Sequence, residues 1–144
     1  MSSLSRPVKF FTLITISIVL LDQLTKYLVL TLKPNLNLGL LSIHYITNTG
    51  AGFGILKGQT LLLALISLIA ALTLIIGYKK IDTQKIPQIL FALFLGGVIG
   101  NMIDRVFRHQ VIDYLDFHFW PAFNLADSAI TAAVAGLIIY YWKK

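Results

Sequence analysis

Cysteine and glutamate are both missing from these 144 residues, and charged side chains make up only 12% of them. Without cysteine there is no structural disulfide, no thiol nucleophile and no iron–sulfur ligation. The shortage of charge says more, because an ordinary soluble domain carries about 25% charged residues. Half of that solubilising surface is absent here, while 57% of the residues are hydrophobic and the mean hydropathy is +0.80. The apolar side chains suffice for a core, but the polar ones cannot coat it. Lipid is the implied solvent.

The length suits one domain. A net charge of +6 raises the question of nucleic acid, yet Lys and Arg fall in short terminal and loop clusters flanking apolar runs. That is the distribution of membrane-flanking charge, not a basic stripe. Arg6 and Lys9 precede an apolar stretch as in a secretory leader, but no small-residue A-x-A site follows. Instead "LLDQLTKYLVLTL" (20–32) carries the run onward past Asp22 and Lys26. A retained first span is expected.

Four apolar segments stand out, from Phe10 to Leu32, Thr60 to Gly77, Pro87 to Ile103 and Ala126 to Trp142. About 20 residues cross about 30 Å of hydrocarbon as a helix, and backbone in lipid has to bond internally. Arg6, Lys9, Lys79, Lys80, Lys85, Lys143 and Lys144 lie on one side of this four-span arrangement. Lys33, Lys57, Arg105 and Arg108 lie on the other. The positive-inside rule puts both termini and the 78–86 turn in the cytoplasm, so loops 33–59 and 104–125 face outward. The stretch "LLSIHYITNTGAGFGIL" (40–56) passes from β-favouring residues into a glycine-rich turn, which predicts a short sheet on the membrane surface. The 107–123 loop, with Phe107, Tyr114, Phe117, Phe119, Trp120 and Phe123, suits the headgroup level. The expected fold is an all-α membrane protein of four transmembrane helices, with a small extracytoplasmic β-containing cradle between helices 1 and 2.

Against this scarcity of acid, three of the six Asp (Asp113, Asp116 and Asp127) fall in the window "VIDYLDFHFWPAFNLADS", residues 111–128. Asp127 sits in the first turn of the fourth span, where the helix dipole favours an acid and capping is one explanation. Asp113 reads equally well as a solvated loop acid, and Asp116 as a surface or network residue. Asp113 and Asp127 nevertheless both belong near the outer membrane boundary. Two carboxylates held close share a proton, so one can accept from water while the other donates to a carbonyl oxygen. Other chemistries lack candidates. There is no Cys and no GxSxG, and His44, His109 and His118 are scattered with no HExxH.

Polar residues also mark the helices. "LGGVIGNMIDR" (95–105) ends the third span, its glycines admitting a close helix neighbour. Asp104 opposes the dipole at that helix end and needs a cationic or hydrogen-bonding partner. Arg105 could pair with it or reach a substrate carbonyl. Asp22 and Lys26 stand four apart on one helical face. Intramembrane ions are functional suspects, and a helix-to-helix clasp fits them as well.

In series, "DQLTK" (22–26), "NTGAGFG" (48–54), "GGVIGNMIDR" (96–105), "VIDYLDF" (111–117) and "FNLADS" (123–128) resemble the lipoprotein signal peptidases, also called signal peptidase II. The match runs in order over nearly the whole chain. One departure is Gly52, where the family more often carries a second alanine. The resemblance implies one integral membrane peptidase domain over residues 1–144, with Asp113 and Asp127 as the catalytic pair. It implies that Asn48 and Arg105 contact substrate, that Asn101 and Asn124 shape the site, and that Asp22, Lys26 and Asp104 support it. It further implies cleavage before a diacylglyceryl-modified cysteine of bacterial prolipoproteins, in the cytoplasmic membrane. No metal or organic cofactor is implied, and the cyclic peptide globomycin would inhibit. The substrates would be diacylated prolipoproteins held among membrane lipids. A small proton-coupled carrier is the alternative that intramembrane acids allow.

Overall fold

Long apolar runs flanked by turn residues and lysines satisfy their backbone in lipid only as helices, and the computed structural model contains four of them. They are α1 (Arg6–Leu32), α2 (Thr60–Gly77), α3 (Lys85–Phe107) and α4 (Leu125–Trp142). The structure describes residues 6–144, with the side chain of Arg6, one of the flanking cations, outside the described part. All four helices have the length and hydropathy to cross a membrane. Their boundaries have local causes. Pro87 stands in the first turn of α3, where its missing N–H leaves no bond unmade. Lys33 (φ +43) and Pro34 stop α1, and His109 (φ +59) stops α3.

Helix α3 is the axis, packed against each of the other three helices. Half of its most apolar window is buried, against 17–22% in the others. The remaining helices turn Leu and Ile outward, as expected of a surface solvated by acyl chains. Glycines let the neighbours close on α3. A Cβ on Gly96 would lie 2.8 Å from Ile18 Cβ of α1, and one on Gly97 would lie 2.5 Å from the Ala126 carbonyl oxygen of α4. Between these contacts Phe11, Ala71, Ala92, Leu95 and Val98 form the apolar core.

Three short strands, β1 (Asn35–Asn37), β2 (Ser42–Asn48) and β3 (Val111–Asp116), form an antiparallel sheet in the order β1-β2-β3. The expected cradle between the first two helices is therefore wider, because its third strand comes from between α3 and α4. Residues 107–123 had read as an aromatic loop; Val111, Ile112, Asp113 and Tyr114 are buried within it as strand. The register sets Ile46 opposite Asp113 and Asn48 opposite Val111, with an irregularity between Ile43 and Ile46. The strand thus carries Asp113 to the end of the helix bundle where α4 begins.

Candidate active site

The N-terminus of α4 organises the site. Asn124 is the N-cap: its Oδ1 accepts from the Asp127 N–H at 2.9 Å, and its own N–H donates to Asp127 Oδ2 at 3.2 Å. This reciprocal capping box assigns the cap to Asn124, with Asp127 returning the bond. The Asn124 amide nitrogen then donates to Asp113 Oδ1 at 2.8 Å. One asparagine therefore ties a strand carboxylate to a helix carboxylate, and both line the same cleft.

Each carboxylate has a second amide donor. Asn48 Nδ2 donates to Asp113 Oδ2 at 3.0 Å, while Asn48 Oδ1 accepts from the Gly50 N–H at 2.9 Å. Asn101 Nδ2 donates to Asp127 Oδ1 at 2.8 Å. Asp113 is 1% exposed. Burial, followed by the neighbouring charge of Asp127, pushes its carboxyl up to about 6, against the opposing hydrogen bonds from Asn48 and Asn124. A carboxyl buried beside another acid in this way keeps its proton to higher pH than a solvated one.

A second polar layer lies behind the first. Lys26 on α1 is fully buried, and its Nζ donates to Asp22 Oδ2 at 2.8 Å, Asp104 Oδ2 at 2.9 Å and Asn101 Oδ1 at 2.9 Å. Asp22 Oδ1 accepts the Ala126 N–H at 3.0 Å, and Asp104 Oδ2 accepts the Ile112 N–H at 3.2 Å. Asp22, Lys26 and Asp104 therefore join α1, α3, β3 and α4. The i,i+4 pairing and the interhelical clasp, left as alternatives by the sequence, are both present.

Of the two alternatives for Arg105, the structure contains the one directed at the cleft. Asp104 pairs with Lys26 and with Arg108, and not with its neighbour Arg105. Adjacent residues on a helix point about 100° apart, whereas residues four apart share a face. Arg105 turns into the cleft, donating to the Gly50 carbonyl at 3.3 Å and to Asn101 O at 3.5 Å. The glycines of the glycine-rich turn differ in what they permit. A Cβ on Gly50 would meet Ile55 O at 2.9 Å, Gly54 is needed for its φ of +73, and Gly52 has nothing within 4 Å.

Arg108 and Gln23 are site-supporting residues that the sequence reading passed over. Gln23 Nε2 donates to Gly100 O at 3.1 Å and Asp104 Oδ1 at 3.2 Å, and Arg108 donates to Gln23 Oε1 at 2.9 Å. The spacing of Arg108 from Asp104 was the available signal. Asp116 lies apart, near His44 (3.5 Å) and His118 (3.8 Å) at the other end of β3. The nine candidate residues otherwise converge. Their charge balance is instructive: Lys26, Arg105 and Arg108 face Asp22, Asp104, Asp113 and Asp127, so one proton on the acids makes the cluster neutral. Among the described residues, no group of three His, Asp or Glu is placed to hold a metal ion.

The cleft in front of the two carboxylates has a volume of about 970 Å³. Its mouth is framed by Phe53 and Trp120, which meet edge to face with centroids 5.0 Å apart. Its far wall descends α4 along Ile130, Thr131 and Ala135. The opening thus leads from a polar floor down an apolar helix face.

Comparisons with known proteins agree on one group. The family model described as signal peptidase (SPase) II matches residues 14–143. The lipoprotein signal peptidase of Halothermothrix orenii is 36% identical over 137 residues, covering 92% of this chain and 94% of that protein. That of Francisella tularensis subsp. novicida is 42% identical over 150 residues, covering 94% and 93%. Two solved bacterial membrane enzymes share the fold at 31% identity. One has a TM-score of 0.88, covering 94% of this chain and 89% of that one. The other scores 0.83, covering 95% of each.

Proposed function

This chain belongs to the signal peptidase II family, and we propose that it removes the signal peptides of bacterial prolipoproteins with Asp113 and Asp127 as an aspartic pair. It is a bacterial membrane protease with four spanning helices. The observation that carries the catalytic assignment is the bridging of both carboxylates by Asn124 in the wall of one cleft.

Water attacks the carbonyl carbon of the residue before the diacylglyceryl cysteine. One carboxylate takes a proton from that water while the protonated partner donates to the carbonyl oxygen. In the collapse of the tetrahedral diol the C–N bond breaks. The cysteine nitrogen leaves with the proton from the first group, and a hydroxyl returns a proton to the second. Arg105 and Asn48 stand at the cleft floor where the substrate backbone would lie, and the apolar α4 wall suits acyl chains or the signal helix. Globomycin, a cyclic peptide, would occupy the same space. Asn101 and Asn124 hold the pair in place, and the chain acts as one peptidase domain, with residues 1–5 outside the described part.

Orientation follows from charge. Lys9, Lys79, Lys80, Lys85, Lys143 and Lys144 gather at the bundle end away from the sheet. The positive-inside rule places that end, with both termini, in the cytoplasm and the cleft on the outer face. Family membership gives no support to the proton-coupled carrier.

The test is a gel-shift assay on purified protein with one prolipoprotein in diacylated and unlipidated forms. Shortening of the diacylated form alone, blocked by globomycin, is expected. Equal cleavage of both forms, or of neither by folded protein, overturns the proposal.

A further inference from the structure

A lysine with no measurable exposure, inside a membrane helix, is expensive to keep charged. Forming a clasp needs only its two acids, Asp22 and Asp104. Yet the third Nζ bond of Lys26 goes to the side chain of Asn101, whose other end faces Asp127. We infer that Lys26 is a positioning residue for the catalytic pair: acting through Asn101, it keeps Asp127 as the proton acceptor and leaves the shared proton on Asp113. The inference rests on the dyad reading proposed above.

The argument is one of hydrogen-bond polarity. An amide side chain can present oxygen or N–H2 to a neighbour, and flipping it exchanges acceptor for donor. An ammonium group only donates. Contact with Lys26 therefore fixes Asn101 Oδ1 toward α1 and Nδ2 toward Asp127 Oδ1. Asn124 Nδ2 supports the same orientation by donating to Asn101 Oδ1 at 3.2 Å. Asp127 Oδ2 meanwhile accepts the Asn124 N–H. Donors thus meet both oxygens of Asp127, at the positive end of α4 and one amide away from a buried cation. These contacts favour the carboxylate form of Asp127 against the cost of its burial.

Asp113 has no comparable link to a cation. Its donors are the neutral amides of Asn48 and Asn124, and its carboxyl, pushed up to about 6, is the better place for the proton. The charged or titratable groups around the pair are Asp22 and Lys26 on α1, Asp104, Arg105 and Arg108 on α3, Tyr114 on β3, and Lys57 from the loop before α2 on the cleft wall. Of these, only Lys26 reaches Asp127 through a single hydrogen-bonded side chain. In the reaction Asp127 would be the base toward water and Asp113 the acid toward the carbonyl oxygen.

The test uses the full-length protein in detergent with a diacylated substrate peptide. Lys26→Met alone leaves Asp22 buried without its cation, while Asp104 keeps Arg108, so it is paired with Asp22→Asn, which conserves net charge; Lys26→Met with Asp104→Asn is the alternative. Lys26→Arg is the conservative variant, keeping charge and donors. In the Met double variant Asn101 loses its cationic partner, and only the longer Asn124 bond still holds its oxygen away from Asp127. The expected result is a kcat lowered about 10- to 100-fold with KM within about threefold, and an acid limb of kcat/KM moved up by about one pH unit. Lys26→Arg is expected to keep the parent's acid limb. A parent-like pH profile in a folded Met double variant overturns the inference and leaves Lys26 as a clasp only. So does an acid limb displaced equally in the Arg variant. Failure of the dyad reading would be seen separately, as retained turnover in Asp113→Asn or Asp127→Asn.

Discussion

Adding one methyl group at Gly97 should separate the two helices that carry the site. An alanine Cβ there would lie 2.5 Å from the Ala126 carbonyl oxygen and 2.7 Å from Ile130 Cγ1. Bringing the oxygen to 3.0 Å, the closest approach real Cβ atoms tolerate, moves the start of α4 by at least about 0.5 Å. The obstacle is mainly backbone, so no rotamer change relieves it. Overpacking of this kind costs about 1–3 kcal/mol. The displaced segment holds Ala126, whose N–H bonds Asp22, and Asp127 itself. A misplacement of about 1 Å can cost about 100-fold in rate, so half of that corresponds to about tenfold in kcat. Thermal melting and single-turnover cleavage of a lipidated peptide report the two effects. Gly52→Ala is the control, since a Cβ there meets nothing within 4 Å, and its stability should lie within about 0.5 kcal/mol of the parent. A Gly97→Ala protein with parental melting and a kcat within twofold would refute the reasoning. So would a Gly52→Ala protein damaged to the same degree.

Asp113→Asn should be more stable than the parent at pH 8 and indistinguishable at pH 4. The native carboxyl at about 6 lies above the ordinary aspartate value of 3.8, so its contribution is intact below about 4 and lost as pH rises through about 6. The difference at pH 8 amounts to about 3 kcal/mol at most, read by denaturation midpoints at the two pH values. The same titration predicts that kcat/KM of the parent declines on the alkaline side as Asp113 loses its proton, from about 6 upward. Lys26→Met alone should cost about 3–5 kcal/mol, because it strands Asp22 in the interior while Asp104 keeps Arg108. Melting with and without Asp22→Asn checks this, and the second change should restore part of the loss. Phe53→Ala and Trp120→Ala should each raise KM by up to about tenfold with kcat little changed, since removing an edge-to-face aromatic contact costs about 0.5–1.5 kcal/mol. Steady-state kinetics separates the two constants.

The four helices were legible because hydropathy over about 20 residues overrides every local preference. Their ends were less so. The third run had been expected to stop at Ile103, but α3 continues to Phe107, since Asp104 turns inward to Lys26 and needs no exit from the lipid. Strand β3 was hidden for a related reason. "VIDYLD" is buried over four consecutive residues, so it lacks the period-two alternation of a half-exposed strand, and its partner β2 lies more than 60 residues away. The acids of the site were conspicuous through scarcity. Their order was not, because Asn124 bridges Asp113 and Asp127 only once a strand and a helix N-terminus meet. The cap was readable as N-x-x-D in "FNLADS". Arg108 and Gln23 gave weak signals, one as an i,i+4 partner and the other as an amide beside Asp22.

The most direct measurement is single-turnover cleavage of a diacylated prolipoprotein by the parent, Asp113→Asn and Asp127→Asn proteins, each shown folded by its melting transition. Loss of at least about a thousandfold in both variants is expected, because in the proposed mechanism each carboxyl performs a proton transfer the other cannot make alone. Turnover above about a tenth of the parent rate in either one would contradict a shared-proton hydrolysis at this site.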